Sequence, residues 1–140
     1  MKKGEAPMRW TVVIVMMFAL GIMAANAQEK KTGSTSFKSD VFPVVKKYCL
    51  PCHSEDNFNP SELSLDSYEL LMQGGKNGVP VVAGKAGESI LIKKLGDPPP
   101  FGDRMPLNKK QVIAAGNAKY LTEAEVKIIA NWISEGAKDN

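Results

Sequence analysis

The chain has 140 residues, with 18 Lys and Arg against 15 Asp and Glu, and a single His. That length holds one small domain and excludes a multidomain machine. Most of the excess charge sits at the N-terminus. Dropping residues 1–27 removes Lys2, Lys3, Arg9 and Glu5, leaving 15 cations against 14 acids, a balance that gives no reason to expect a nucleic-acid partner.

The first stretch reads as a secretory signal peptide. Lys2, Lys3 and Arg9 precede an apolar run over 10–23, and Ala25-Asn26-Ala27 supplies the small residues a signal peptidase cuts after. The alternative is an uncleaved anchor, but the run is shorter than the ~20 residues needed to span a bilayer. The expected organisation is therefore a signal peptide over 1–27, a polar flexible leader over 28–38 and one domain over 39–138. The expected location is periplasmic or otherwise secreted, with no stable membrane insertion after cleavage.

Ser39 or Asp40 is expected to cap a first helix carrying Val41, Phe42, Val44, Val45 and Tyr48, with Pro43 tolerated in its first turn. Directly after it comes Cys49-Leu50-Pro51-Cys52-His53, which holds both cysteines and the only His. Two thiols three residues apart on a helical turn can each add to one vinyl group of the same porphyrin. The next residue then carries its imidazole beneath the ring toward the iron. Cys49 and Cys52 are thus expected to form thioethers to one covalent haem c, with His53 as the proximal ligand. The other nitrogen of His53 should meet a carbonyl, for which the loop at Asn59-Pro60 is a candidate.

Farther along, Asp66 can cap a short helix with Tyr68, Leu70 and Leu71, ended by Gly74-Gly75, and 79–83 is the one stretch suited to an extended strand. A third helix is expected over 88–95, stopped by Gly96. The proline-rich loop from Pro98 to Pro106 contains Met105. The segment 108–120 is mixed, with helix suggested at 111–115 and Gly116-Asn117 interrupting it. The last helix is the clearest, because Thr122-Glu123-Ala124-Glu125 is a capping box ahead of Val126, Ile129, Trp132 and Ile133, with Gly136 as its stop.

The sixth iron ligand can be approached by elimination. With one His in the chain, a second imidazole is excluded, and after residue 27 only Met72 and Met105 remain as thioethers. Met72 lies in a helical segment where core packing accounts for it. Met105 lies in a loop restricted by prolines and is the favoured ligand, with Met72 as the alternative and a vacant or water-filled position still open. Such His/Met ligation raises the reduction potential.

The order of CLPCH, a Met-Pro loop and a terminal helix ending Trp-Ile-x-x-Gly-Ala resembles the small monohaem cytochrome c fold. Leu63-Ser64-Leu65-Asp66-Ser67-Tyr68, Leu71-Met72-x-Gly74-Gly75, and Gly84 with Ser89-Ile90-Leu91 resemble the planctomycete-type cytochrome c domain. The resemblance covers about residues 40–137. It implies an all-α domain wrapped around one haem, with Cys49, Cys52 and His53 in the attachment and proximal roles and Met105 in the distal one.

The expected function is a one-electron carrier working by outer-sphere transfer between redox protein partners, not an enzyme with a substrate of its own. The alternatives are a haem enzyme or gas sensor with an open sixth site and, less favoured, a thiol-disulfide oxidoreductase, which would need a βαβ context absent from the pattern. Around the site, Arg104 is either a propionate partner or a solvated loop charge. Trp132 fits helix packing better than contact with the haem edge. Lys46-Lys47 and Lys93-Lys94 either guide an acidic partner or form solvated helix faces.

Overall fold

The computed structural model describes residues 33–50 and 52–140. The expected signal peptide and the first part of the leader lie outside the described residues. The described residues form α1 (Phe42–Tyr48), α2 (Tyr68–Gln73), α3 (Ile90–Leu95), α4 (Lys110–Ala114) and α5 (Glu123–Ser134), with a π-type turn at Phe37–Val41 and a 3-10 turn at Ala86–Glu88. No strand occurs among them, in keeping with the helical patterning; the segment 79–83, the one stretch that could be extended, forms no strand.

The domain starts earlier than the sequence suggests. Ser36, not Ser39 or Asp40, is the cap: its side chain accepts from the Ser39 amide at 3.2 Å, while the Asp40 carboxylate accepts from the Ser36 amide at 2.8 Å. The π-type turn that follows carries Phe37, expected in a flexible leader, into the core, where it is only 3% exposed. Its ring lies 5.7 Å from Phe42, 5.4 Å from Tyr68 and 5.3 Å from Trp132, spacings at which aromatic edges and faces attract. The far end also extends past residue 138, since the Lys38 amide donates to the Asn140 carbonyl at 3.0 Å.

Helix α5 is the spine. The Thr122 side chain accepts from the Glu125 amide and Glu125 reaches back to the Thr122 amide, so two otherwise orphaned donors are satisfied reciprocally. Ile129, Trp132 and Ile133 recur at helical spacing and are buried with Val41, Val45 and Leu71. The indole of Trp132 donates to the Lys138 carbonyl at 2.8 Å, and the Tyr68 hydroxyl donates to the Ala137 carbonyl at 2.9 Å. Trp132 is therefore a packing residue at the end of the core.

One cap and one helix start differ from expectation for local reasons. Ser67 caps α2 by accepting from the Leu70 amide at 3.2 Å, because Asp66 is engaged elsewhere, accepting from the Glu55 amide and the Ser64 hydroxyl, each at 2.7 Å. Helix α3 begins at Ile90 because Ser89, fully buried, donates to the Lys85 carbonyl at 3.0 Å and accepts from the Val82 amide at 2.9 Å. These bonds replace a helical turn with a closed loop.

Candidate functional site

The two cysteines and the histidine occupy the turn that continues α1. The Cys49 amide donates to the Val45 carbonyl at 2.8 Å, and the amides of Cys52 and His53 both return to the Cys49 carbonyl, at 3.0 and 2.8 Å. Both thiols are free; Cys49 is half-buried and Cys52 exposed. Burial, followed by the neighbouring Cys52, pushes the Cys49 thiol up to about 11. Redox-active dithiols have the opposite property, a thiol pKa lowered so that the nucleophilic thiolate is present.

His53 is oriented by a single backbone group. Its Nδ1 lies 3.1 Å from the Leu63 carbonyl. A carbonyl only accepts, so Nδ1 carries the proton and Nε2 keeps its lone pair for a metal. The acceptor had been expected near Asn59-Pro60; it is four residues on, and Asn59 instead positions it, its Oδ1 accepting from the Leu63 amide at 3.2 Å. The Leu65 amide returns to the His53 carbonyl at 2.8 Å, so the 63–65 strap is bonded to both ring and backbone of the histidine.

Gly75 lets the chain after α2 close on that strap. The Lys76 amide donates to the Ser61 carbonyl at 2.8 Å. A Cβ at Gly75 would collide with the Ser61 carbonyl and stand 2.8 Å from the Leu63 amide, both backbone atoms unable to turn aside. The role of the Gly74-Gly75 pair therefore goes beyond ending a helix.

Met105 lies with Leu63, Pro80, Ile90, Phe101 and Gly78 in the wall of one cleft. Met72 does not line this cleft, although both methionines pack, partly buried, against the main core. Helix α3 holds the Met105 loop in place. The Met105 amide donates to the Lys94 carbonyl at 2.8 Å, Lys94 Nζ donates to the carbonyls of Phe101, at 2.6 Å, and Asp103, and Arg104 Nε donates to the Leu95 carbonyl at 2.8 Å. Arg104 also stacks over Tyr120, 4.0 Å from the ring centroid. Sequence reasoning left Lys94 as a partner-guiding or solvated charge and Arg104 as a propionate partner or a solvated loop charge; both close the loop. No sequence signal marks these bonds, because the acceptors are backbone carbonyls, at Phe101, Asp103 and Leu95.

A larger open hollow of about 440 Å³ lies alongside, walled by polar groups including Ser54, Glu55, Asn57, Asn59 and Glu62. It presents no thiol, imidazole or thioether, so it lacks the donors for a haem. The residues around His53 fit that group: a free imidazole lone pair, two free thiols one turn apart, and a thioether in an apolar wall shared with the residue that orients the imidazole.

A helical domain carrying CxxCH in this arrangement is a c-type cytochrome, with haem c as its cofactor. Residues 49–106 match the family described as Planctomycete cytochrome C, which supports a cytochrome c domain of the planctomycete type over that stretch. No curated protein matches the chain. A solved structure of Kuenenia stuttgartiensis hydrazine synthase is similar over 74% of this chain and 16% of that chain, at 24% identity and a TM-score of 0.46. This chain thus spans a small part of the length of that protein.

Proposed function

We propose that the protein is an exported one-electron carrier, with one haem joined to Cys49 and Cys52 and its iron held between His53 Nε2 and the Met105 thioether. The observation that carries this reading is the shared wall: Leu63 orients the imidazole through its carbonyl and lines the cleft that contains Met105. The cofactor supplies an iron that cycles between ferrous and ferric by outer-sphere transfer.

The residues keep the coordination fixed so that little rearrangement accompanies the transfer. Leu63 holds the tautomer of His53, Gly75 lets the strap lie close, and Lys94 with Arg104 pins the methionine loop. Leu63 and Ile90 in the cleft wall would help to keep water from the ring. No substrate of its own is required. The raised pKa of Cys49 speaks against thiol-disulfide exchange, and no feature of the cleft favours a ligand-binding enzyme over the carrier. The N-terminal charge and apolar pattern, with attachment chemistry of this kind, supports export to the periplasm.

The test is the mass and absorbance spectrum of the secreted protein made alongside haem-attachment machinery. A covalent mass increase of one haem, with a near-infrared sulfur-iron band in the oxidised form, is expected. A colourless protein with the mass of the bare chain overturns the proposal.

A further inference from the structure

We propose that the excursion over 107–120 is the docking surface for an acidic redox protein, an inference that rests on the carrier reading above. From Arg104 to Thr122 the sequence contains no Asp or Glu, and it carries Arg104, Lys109, Lys110 and Lys119. Elsewhere four lysines are locally neutralised, Lys38 by Asp139, Lys47 by Glu125, Lys76 by Glu62 and Lys85 by Glu88, while Lys46, Lys93, Lys127 and Lys138 stand singly without an ion pair among the described residues. Lys109, Lys110 and Lys119 make no ion pair among the described residues and are exposed. A rigid surface of uncompensated cations selects an acidic partner and speeds encounter with it.

The excursion is fixed in place. Asn108 Nδ2 donates to the carbonyls of Pro106, at 2.9 Å, and Lys119, at 3.2 Å, while its Oδ1 accepts from the Lys119 amide at 3.0 Å. The two ends are thereby joined, with Arg104 stacked on Tyr120 just outside them. This closure places the lysines on a loop that leaves the chain directly after Met105-Pro106, next to the proposed iron ligand. Leu107 and Ile113 stand 63% and 47% exposed on the same excursion, giving a contact with apolar points inside a charged rim, as in transient protein interfaces. A lipid surface is the poorer fit, because α4 has only five residues and no aromatic anchor.

The test uses the haem-loaded protein and the hydroquinone of an acidic flavodoxin as donor. One electron leaves the flavin, which becomes the semiquinone, and the oxidised cytochrome is reduced; no bond is made to the protein. Three proteins are compared: wild type, K109Q/K110Q/K119Q, and K38Q/K85Q/K138Q, which loses the same charge at the end near Trp132. Spectra and potentials are read first and should agree. The second-order rate constant of wild type should fall about tenfold or more between low and high salt, and the excursion variant should be about tenfold slower at low salt with little salt dependence. The other triple variant should stay within about twofold of wild type.

Equal slowing of both variants means net charge, not docking, and overturns the proposal, as does an unaffected excursion variant. Sedimentation of wild type with phosphatidylglycerol vesicles, lost in the excursion variant, assigns the surface to lipid and also overturns it. A protein without a reducible haem is recognised from its spectrum before mixing and overturns the carrier reading together with this one.

Discussion

The Tyr48 hydroxyl donates to Glu125 Oε2 at 3.0 Å, joining the residue before Cys49 to the capping box of α5. Lys47 adds a pair to Oε1, also at 3.0 Å. One carboxylate therefore caps a helix and anchors the approach to the attachment turn.

That carboxylate makes stability depend on acidity. The Thr122 amide, followed by Lys47, holds Glu125 down at about 2, against an ordinary value of 4.5. Because the folded value is depressed, its contribution is complete above the unfolded value and is lost as pH falls toward about 2. Between these two limits the unfolded chain binds the extra proton, so stability rises with pH. Urea unfolding of wild type and Glu125→Gln should differ most at pH 6, by a modest amount since the group lies at the surface. The difference should shrink steadily below pH 4.5. A constant difference down to pH 2 would refute the assignment.

Gly75 and Gly78 separate a steric requirement from a conformational one. Gly78 has φ +82° with nothing near its missing Cβ, so Gly78→Ala should cost only the left-handed backbone penalty of about 1–2 kcal/mol. At Gly75 the added carbon meets backbone on the His53 strap, so Gly75→Ala should cost about 1–3 kcal/mol through overpacking and must also shift the Leu63 carbonyl. The reduction potential supplies the second readout: it should move in Gly75→Ala and hold in Gly78→Ala. Matching potentials in both would detach the strap from His53.

Met105 and Met72 are distinguished by the same spectrum that detects the haem. Met105→Ala should abolish the near-infrared band, lower the potential and let the reduced protein bind carbon monoxide. Met72→Leu, a volume-conserving change on the core, should cost less than about 1.5 kcal/mol and leave the band intact. The converse pattern would make Met72 the ligand.

What was legible in the sequence followed from how local the cause was. The α5 capping box and its Ile129, Trp132 and Ile133 stripe depend on neighbours within a few residues, and they appear as read. The CLPCH turn is similarly local. The start of the domain was misplaced because Phe37 is held by residues far along the chain, among them Trp132 and Asn140, which no window around Ser39 contains. The same is true of Leu63: many carbonyls lie between Asn59 and Asp66, and only the Asn59 side chain and the Gly75 approach decide which one meets His53. Lys94 looked like half of a solvated pair because its partners are backbone carbonyls, which every sequence has and none advertises.

Lys94 offers the last prediction. Its ammonium donates to the Phe101 and Asp103 carbonyls and lies 4.8 Å from the Phe101 ring centroid, while its own carbonyl accepts from Met105. Lys94→Met keeps the aliphatic stem and the backbone bond but leaves two carbonyls without their charged donor, so residues 101–103 lose their anchor while 104 and 105 keep theirs. Hydrogen bonds to charged groups contribute about 1.5–3 kcal/mol, and the partly exposed position of this lysine places the cost at the lower end. The loss should be local, because the main core around Val45, Leu71 and Ile133 does not include this side chain. On heating, the near-infrared band of Lys94→Met should disappear well below the helical melt followed by circular dichroism, whereas in wild type the two lie closer together. Lys94→Arg retains the donors and should restore most of the difference. If the band and the helices melt together in Lys94→Met, the lysine is a general stabiliser and does not specifically hold the methionine loop.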